Sequence, residues 1–184
     1  MARAFADMNK SVLLVVDVQP KFMAAIPDAA RISPRIEFIC RVANLLSVPT
    51  IGTSQNPEKM GEFSPELETL LSQPSQSKMT FSCSGCQIFN DYFEATTPSQ
   101  VIVVGVETHI CVSQTVHDLL DLGHEVIVCA DAVASRTPDR HEIGLKRISE
   151  AGAVVAHTES VAYEWLRSAG HENFRDALKI VKEY

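Results

Sequence analysis

A doubly wound α/β fold, with a largely parallel sheet covered by helices on both faces, is the architecture this chain's patterning predicts. Three observations carry that expectation. Short runs such as residues 12–16 and 101–106 are apolar or β-branched at nearly every position, as in strands buried on both faces. Stretches with helical spacing separate these runs, and the alternation repeats about six times. No linker, repeat or low-complexity tract divides the 184 residues, so residues 1–184 are expected to form one domain.

The elements follow in order. Residues 12–16 read as the first strand. Ile32, Ile36, Ile39, Ala43 and Leu46, spaced 4, 3, 4 and 3, trace one face of a helix. Pro49 opens a strand over residues 50–54, followed by a polar loop over 55–63. Ser64-Pro65-Glu66 reads as an N-cap with proline at the first helical position. A weaker extended piece at 75–79 precedes a helix at about 84–94, and 101–106 is the clearest strand. A helix over 110–122 sets Val112, Val116, Leu119 and Leu120 on one side, with Gly123 suited to its C-terminal cap. A strand at 126–130, a helix at 139–151 closed by Gly152 and a strand at 153–156 come next. The remainder from Ser160 is helical, with a break near Gly170.

Composition narrows the function classes. Apolar types make up 46% and charged types 21%, as in ordinary soluble globular proteins. The net charge is −7 and no Lys/Arg cluster builds a basic stripe, so no nucleic-acid partner is expected. The apolar runs are too short to span a bilayer, so no membrane partner is expected either. Asp17 interrupts the first apolar run after MARAFADMNK, which argues against a signal peptide. Five cysteines, at 40, 83, 86, 111 and 129, cannot all pair within the chain, and reduced thiols in a cytoplasmic setting are the natural reading.

Ligands of doubly wound sheets bind beyond the carboxyl ends of the strands, where strand order reverses. Three reactive residues fall at such ends. Asp17, in Val16-Asp17-Val18-Gln19, follows a buried strand directly, where desolvation raises a carboxyl pKa and suits it to act as a base. An N-cap or a loop hydrogen bond explains it equally. Cys111, in Gly105-Val106-Glu107-Thr108-His109-Ile110-Cys111, falls in the first turn of a helix. There the helix dipole favours a thiolate and free N–H groups face an oxyanion; a buried packing thiol is the alternative. Lys78 is either a solvated surface charge or a cation aimed at the same crevice. With strand order three-two-one-four, Asp17 and Cys111 would face each other across it.

Together, Val15-Val16-Asp17-Val18-Gln19, the Lys78 segment and Gly105-Val106-Glu107-Thr108-His109-Ile110-Cys111-Val112 resemble the isochorismatase-like cysteine hydrolase superfamily. The resemblance runs from about Lys10 to Ala169. The Thr53-Ser54-Gln55-Asn56-Pro57 loop followed by Gly61 is most similar to the isochorismatase domain-containing proteins. It implies a three-layer α/β/α, Rossmann-like fold with a six-stranded parallel sheet in the order 3-2-1-4-5-6. It also implies a triad of Cys111 as nucleophile, Asp17 as general base and Lys78 as electrostatic partner. A non-proline cis peptide before Glu107 is implied too, with the backbone N–H groups of Glu107 and Cys111 forming an oxyanion hole. Homo-oligomers are implied as well, and residues 161–166, with Tyr163 and Trp165, either cover a partner subunit or pack on their own sheet.

Departures from the superfamily pattern narrow the expectation. Ser54-Gln55-Asn56-Pro57-Glu58 stands where nicotinamidases carry an Asp-x-His metal motif, so no metal is expected. Possession of Cys111 argues against the vinyl-ether cleavage of true isochorismatases. No G-x-G-x-x-G or P-loop follows a strand, so no cofactor is expected. Cys83-Ser84-Gly85-Cys86 sits between a strand and a helix, which leaves open a thiol-redox role or two thiols at a helix start. His109 and His117 do not face Cys111 at helical spacing.

These readings converge on a cysteine hydrolase of a small amide, carbamoyl or related C–N substrate working through a thioester. Gln19, Phe22, Gln55 and Phe81 are expected to shape its pocket, and Cys111 is expected to titrate below an ordinary thiol. A catalytically silent oligomeric scaffold and a redox protein using Cys83 and Cys86 are the alternatives.

Overall fold

The computed structural model describes residues 5–96 and 98–184, so residues 1–4, at the head of the MARAFADMNK segment, lie outside the described residues. Six parallel strands form one sheet: β1 (Ser11–Val16), β2 (Thr50–Gln55), β3 (Gln76–Lys78), β4 (Gln100–Val106), β5 (Glu125–Ala134) and β6 (Val154–Ala156). Their order is β3-β2-β1-β4-β5-β6, the expected topology.

The strands are apolar throughout because alternate side chains enter two separate cores. Leu13, Val15, Ile102, Val104, Ile127 and Cys129 face one core, which α2 (Ala29–Leu45) and α8 (Thr158–Leu166) cover, together with Ala177 of α9 (Phe174–Val181). Val12, Leu14, Val16, Val101, Val103, Val126 and Val128 face the other, covered by α5 (Gln87–Thr96), α6 (Ser113–Asp121) and α7 (Pro138–Ala151). Each such Val or Leu stabilises the fold by about 1.5–3 kcal/mol relative to exposure.

Three single-turn helices, α1 (Pro20–Met23), α3 (Pro57–Met60) and α4 (Pro65–Glu68), lie in the loops after β1 and β2. Each begins with proline, which has no N–H to leave unpaired at a helix start. Ser64 caps α4 as expected, its Oγ accepting from Leu67 N–H at 3.4 Å.

Some boundaries differ from the sequence reading. α2 begins at Ala29 and contains Pro34, which can donate no N–H to the helical ladder at that position. β5 runs to Ala134 because a register shift against β4 between Val103 and Gly105 lets pairing resume at Val133 and Ala134. Residues 161–166 carry no apolar face free for a partner: Val161, Ala162, Trp165 and Leu166 are buried in the chain's own core. Trp165 Nε1 donates to Ser11 Oγ at 3.1 Å, and only Tyr163 of that set faces outward.

Candidate active site

Strand order reverses between β1 and β4, and the strand-end residues meet beyond their C-terminal ends. β1 delivers Asp17 in a left-handed conformation (φ 52°), which a short polar residue tolerates. Its N–H donates to the Thr53 carbonyl at 3.0 Å, tying it to β2. β3 ends in Lys78, in register beside Gln55. After β4, the Val106–Glu107 peptide is cis and one wide turn, Thr108–Val112, carries Cys111. Within it the Val112 N–H donates to the Glu107 carbonyl, five residues back, at 3.2 Å. Cys111 therefore sits on a widened turn ahead of α6 rather than in the first turn of a regular helix, a kind of irregularity frequent at functional sites.

Lys78 reaches across the end of β2 to join the other two. Its Nζ donates to Asp17 Oδ2 at 2.7 Å, Gln55 Oε1 at 2.9 Å, and the Phe81 and Thr80 carbonyls at 3.0 and 3.2 Å. Asp17 Oδ1 accepts from Thr53 Oγ1 at 2.9 Å, and Cys111 lines the same cavity as Asp17. Asp17, Lys78 and Cys111 are 1%, 4% and 6% exposed. Charges so shielded interact strongly and cannot be left unpaired cheaply.

The electrostatics follow from this burial. Desolvation pushes the Asp17 carboxyl above its usual range, against the opposing pull of Lys78. Burial works to lower the Lys78 pKa, but the adjacent Asp17 charge overrides it and holds the ammonium charged. The Cys111 thiol is pushed well up, by burial first and the Asp17 charge second, and Lys78 offsets only part of this. That runs against the expected low titration of Cys111, because burial and the Asp17 charge both favour the protonated thiol.

A cavity of about 60 Å³ opens over Asp17 and Cys111. Phe22, Gln55 and Phe81 line it as expected, joined by Val106, Glu107 and Ile110. Gln19, expected there too, is turned into the protein instead. Its Nε2 donates to the Gln55 and Gly61 carbonyls and its Oε1 accepts from Gln55 N–H at 2.8 Å. Fully buried, it braces the end of β2 against the loop that carries Gly61. The Glu107 carboxylate accepts from the Arg136 backbone N–H at 2.9 Å and from Arg136 Nε at 3.1 Å. A larger cavity of about 780 Å³, lined by Phe93, Asp118 and His124 among others, shares none of the triad.

The remaining candidates separate cleanly. Cys83 and Cys86 are free thiols with different partners: Cys83 Sγ lies 3.6 Å from Thr53 Oγ1, and the Cys86 thiol donates to the Ser77 carbonyl at 3.6 Å. His109 Nδ1 pairs with Ser135 Oγ at 3.0 Å and His117 Nδ1 with the Ser113 carbonyl at 2.7 Å. Among the described residues, no group of three His, Cys, Asp or Glu side chains is placed to hold a metal ion. No helix among them is long and apolar enough to cross a membrane.

Thr53 and Cys83 are the residues that sequence reasoning missed at this site. Thr53 lies two residues before Gln55 on β2 and so shares its face, a periodicity signal that was available. Cys83 was visible only as half of a CxxC, and no spacing rule aims it at β2.

Comparison with known proteins shows the family and the fold. A family model described as the isochorismatase domain matches residues 11–160. Isochorismatase domain-containing protein 2 of Bos taurus is 34% identical over 175 residues, covering 95% of this chain and 84% of its own. The secreted isochorismatase effector Isc1 of Phytophthora sojae is 32% identical over 182 residues, covering 96% and 86%. The solved structure of MAR1 ribonuclease from Caenorhabditis elegans superposes with a TM-score of 0.92 at 31% identity, covering 97% of this chain and 93% of that one.

Proposed function

We propose that this chain, which belongs to the isochorismatase domain family, is a cysteine hydrolase of small amide, carbamoyl or related C–N substrates. The observation that carries the reading is a thiol and a carboxylate lining one cavity, with the Lys78 ammonium 2.7 Å from that carboxylate. As Cys111 sulfur attacks the carbonyl carbon, its proton passes to Asp17, which lines the same cavity. Lys78 keeps its charge beside Asp17 throughout and holds the carboxylate in place. Backbone N–H groups of Glu107 and Cys111 face the oxyanion in this scheme. The C–N bond breaks as Asp17 returns the proton to the leaving nitrogen, leaving a thioester on Cys111. Water then attacks the acyl carbon while Asp17 takes its proton. The acid leaves as the sulfur regains a proton.

The cavity limits the acyl group. At roughly 10–15 Å³ per ordered water, about 60 Å³ accommodates an acyl portion of only a few non-hydrogen atoms. That size, with the net charge of −7, favours a small molecule over RNA, the substrate named for the similar nematode protein. Self-association belongs to the proposal, with Met79 (72% exposed) and Phe81 (54%) as the apolar surface at the cavity rim. Five free thiols fit a reducing compartment such as the cytoplasm.

Intact-mass trapping on a panel of small amides, ureas and nitriles tests the chemistry. An acyl adduct mapping to Cys111 and lost in Cys111→Ala is expected. Turnover that survives Cys111→Ala, or cleavage of RNA with no small amide accepted, would overturn the reading. Sedimentation showing only monomer at micromolar concentration would remove the oligomer.

A further inference from the structure

Asp17 is held from a side the triad does not account for. Its Oδ2 is occupied by Lys78, while Oδ1 accepts from Thr53 Oγ1 at 2.9 Å. Thr53 has a single hydroxyl proton, and the ionised carboxylate can only accept. At the 3.6 Å contact between Thr53 Oγ1 and Cys83 Sγ, the thiol must therefore be the donor. Burial pushes the Cys83 pKa up to about 11, so that proton is present at neutral pH.

The chain continues beyond Cys83. Its backbone N–H donates to Thr115 Oγ1 at 3.0 Å, and Thr115 is a buried residue of α6 four positions after Cys111. Thr53 and Cys83 thus tie Asp17 to the helix that follows Cys111. The terminal torsion of an aspartate is soft, so Lys78 alone would let the carboxylate swivel about its Oδ2 contact.

We propose that Thr53 and Cys83 are positioning residues for the hydrolysis, a donor chain that fixes the carboxylate plane of Asp17 toward Cys111. Neither touches substrate in this scheme; both act through Asp17. The proposal rests on the reading of Asp17 as the base for Cys111.

The test is the rate of Cys111 alkylation by iodoacetamide against pH, with modification located by peptide mass so that no substrate need be known. Wild-type protein is expected to show a limb set by ionisation of the Cys111 thiol, which Asp17→Asn moves to lower pH. Thr53→Val deletes a donor to the ionised carboxylate and is expected to move that limb upward by about half a pH unit. Thr53→Ser restores the wild-type midpoint, which a role in filling space alone would not produce. Cys83→Ala shifts the limb in the same direction by less, and decides the matter should Thr53→Val fail to fold. A Thr53→Val midpoint equal to wild type, or no rescue by Thr53→Ser, overturns the positioning role. An alkylation profile that Asp17→Asn leaves unchanged overturns the reading of the base itself, so the two failures are distinguishable.

Discussion

Lys78 Nζ stands 2.7 Å from Asp17 Oδ2, with the two side chains 0% and 1% exposed. The pair spans two neighbouring strand gaps, because β2 lies between the strands that supply its members. Gln55 Oε1 and the Thr80 and Phe81 carbonyls take the remaining capacity of the ammonium, so the cation also organises the loop after β3.

Removing one partner is expected to cost more than removing both. Lys78→Met leaves a buried carboxylate uncompensated and should destabilise the fold by about 3–5 kcal/mol in urea titration. The double variant with Asp17→Asn should recover part of that loss. A single-variant cost under about 1 kcal/mol would show that the pair is open to water.

The thiol is expected to respond to the two charges with opposite signs. Asp17→Asn removes a negative charge that raises the Cys111 pKa, so alkylation should begin at lower pH while hydrolysis is lost. Lys78→Met removes a cation that lowers it, so alkylation should require higher pH. The measurement locates modification at Cys111 by peptide mass, with Cys83 kept in place. Identical profiles in all three proteins would place Cys111 outside the influence of Asp17 and Lys78.

Alkaline conditions are expected to unfold the protein through its thiols. Burial raises the pKa of Cys40, Cys83, Cys111 and Cys129 in the folded state, Cys83 from near 9 to about 11. A group whose folded pKa is raised contributes stability fully below its unfolded pKa and loses it as pH climbs toward the folded value. Unfolding free energy should therefore fall above about pH 9, by up to about 1.4 kcal/mol per pH unit for each such thiol. Cys83→Ala should reduce that slope by one thiol's share. A flat profile between pH 9 and 11 would mean that the thiols ionise in the folded protein.

Two glycines with left-handed backbones are expected to differ sharply on substitution. A Cβ at Gly105 (φ 110°) would fall 2.1 Å from the Val16 carbonyl oxygen, backbone against backbone between β4 and β1. Gly105→Ala should cost about 3 kcal/mol or more, and disturb the strand ends that carry Asp17 and Cys111. Gly123 (φ 89°) has nothing within 4 Å of the same position, so Gly123→Ala should cost only the left-handed penalty of about 1–2 kcal/mol. Equal melting temperatures for the two variants would contradict the close approach at Gly105.

Much of the fold was legible because its signals are local. Apolar residues at consecutive positions along residues 12–16 and 101–106 mark strands buried on both faces, and the two cores confirm why no alternation is seen. Proline and serine at 64–65 start α4 by the same local rule that reads them. The wide turn at Thr108–Val112 was not legible, since a helix one residue wider in one turn carries the same apolar spacing. Nor was the extension of β5 to Ala134, which depends on a register shift against a strand about thirty residues earlier.

At the site, residue order was enough to bring Asp17, Lys78 and Cys111 forward, because each directly ends or follows an apolar strand and parallel sheets gather such ends at one edge. It also marked Phe22, Gln55 and Phe81, which line the cavity. Packing assigned the rest. Gln19 turned inward, Cys83 turned toward Thr53 and away from Cys86, and α8 spent its apolar face on its own sheet. Packing also pushes the Cys111 thiol up, against the helix-start argument, because burial and the Asp17 charge oppose ionisation there. Those outcomes depend on which side chains meet across strands and turns distant in the chain, and on how little water reaches them, neither of which is written in the spacing of residue types.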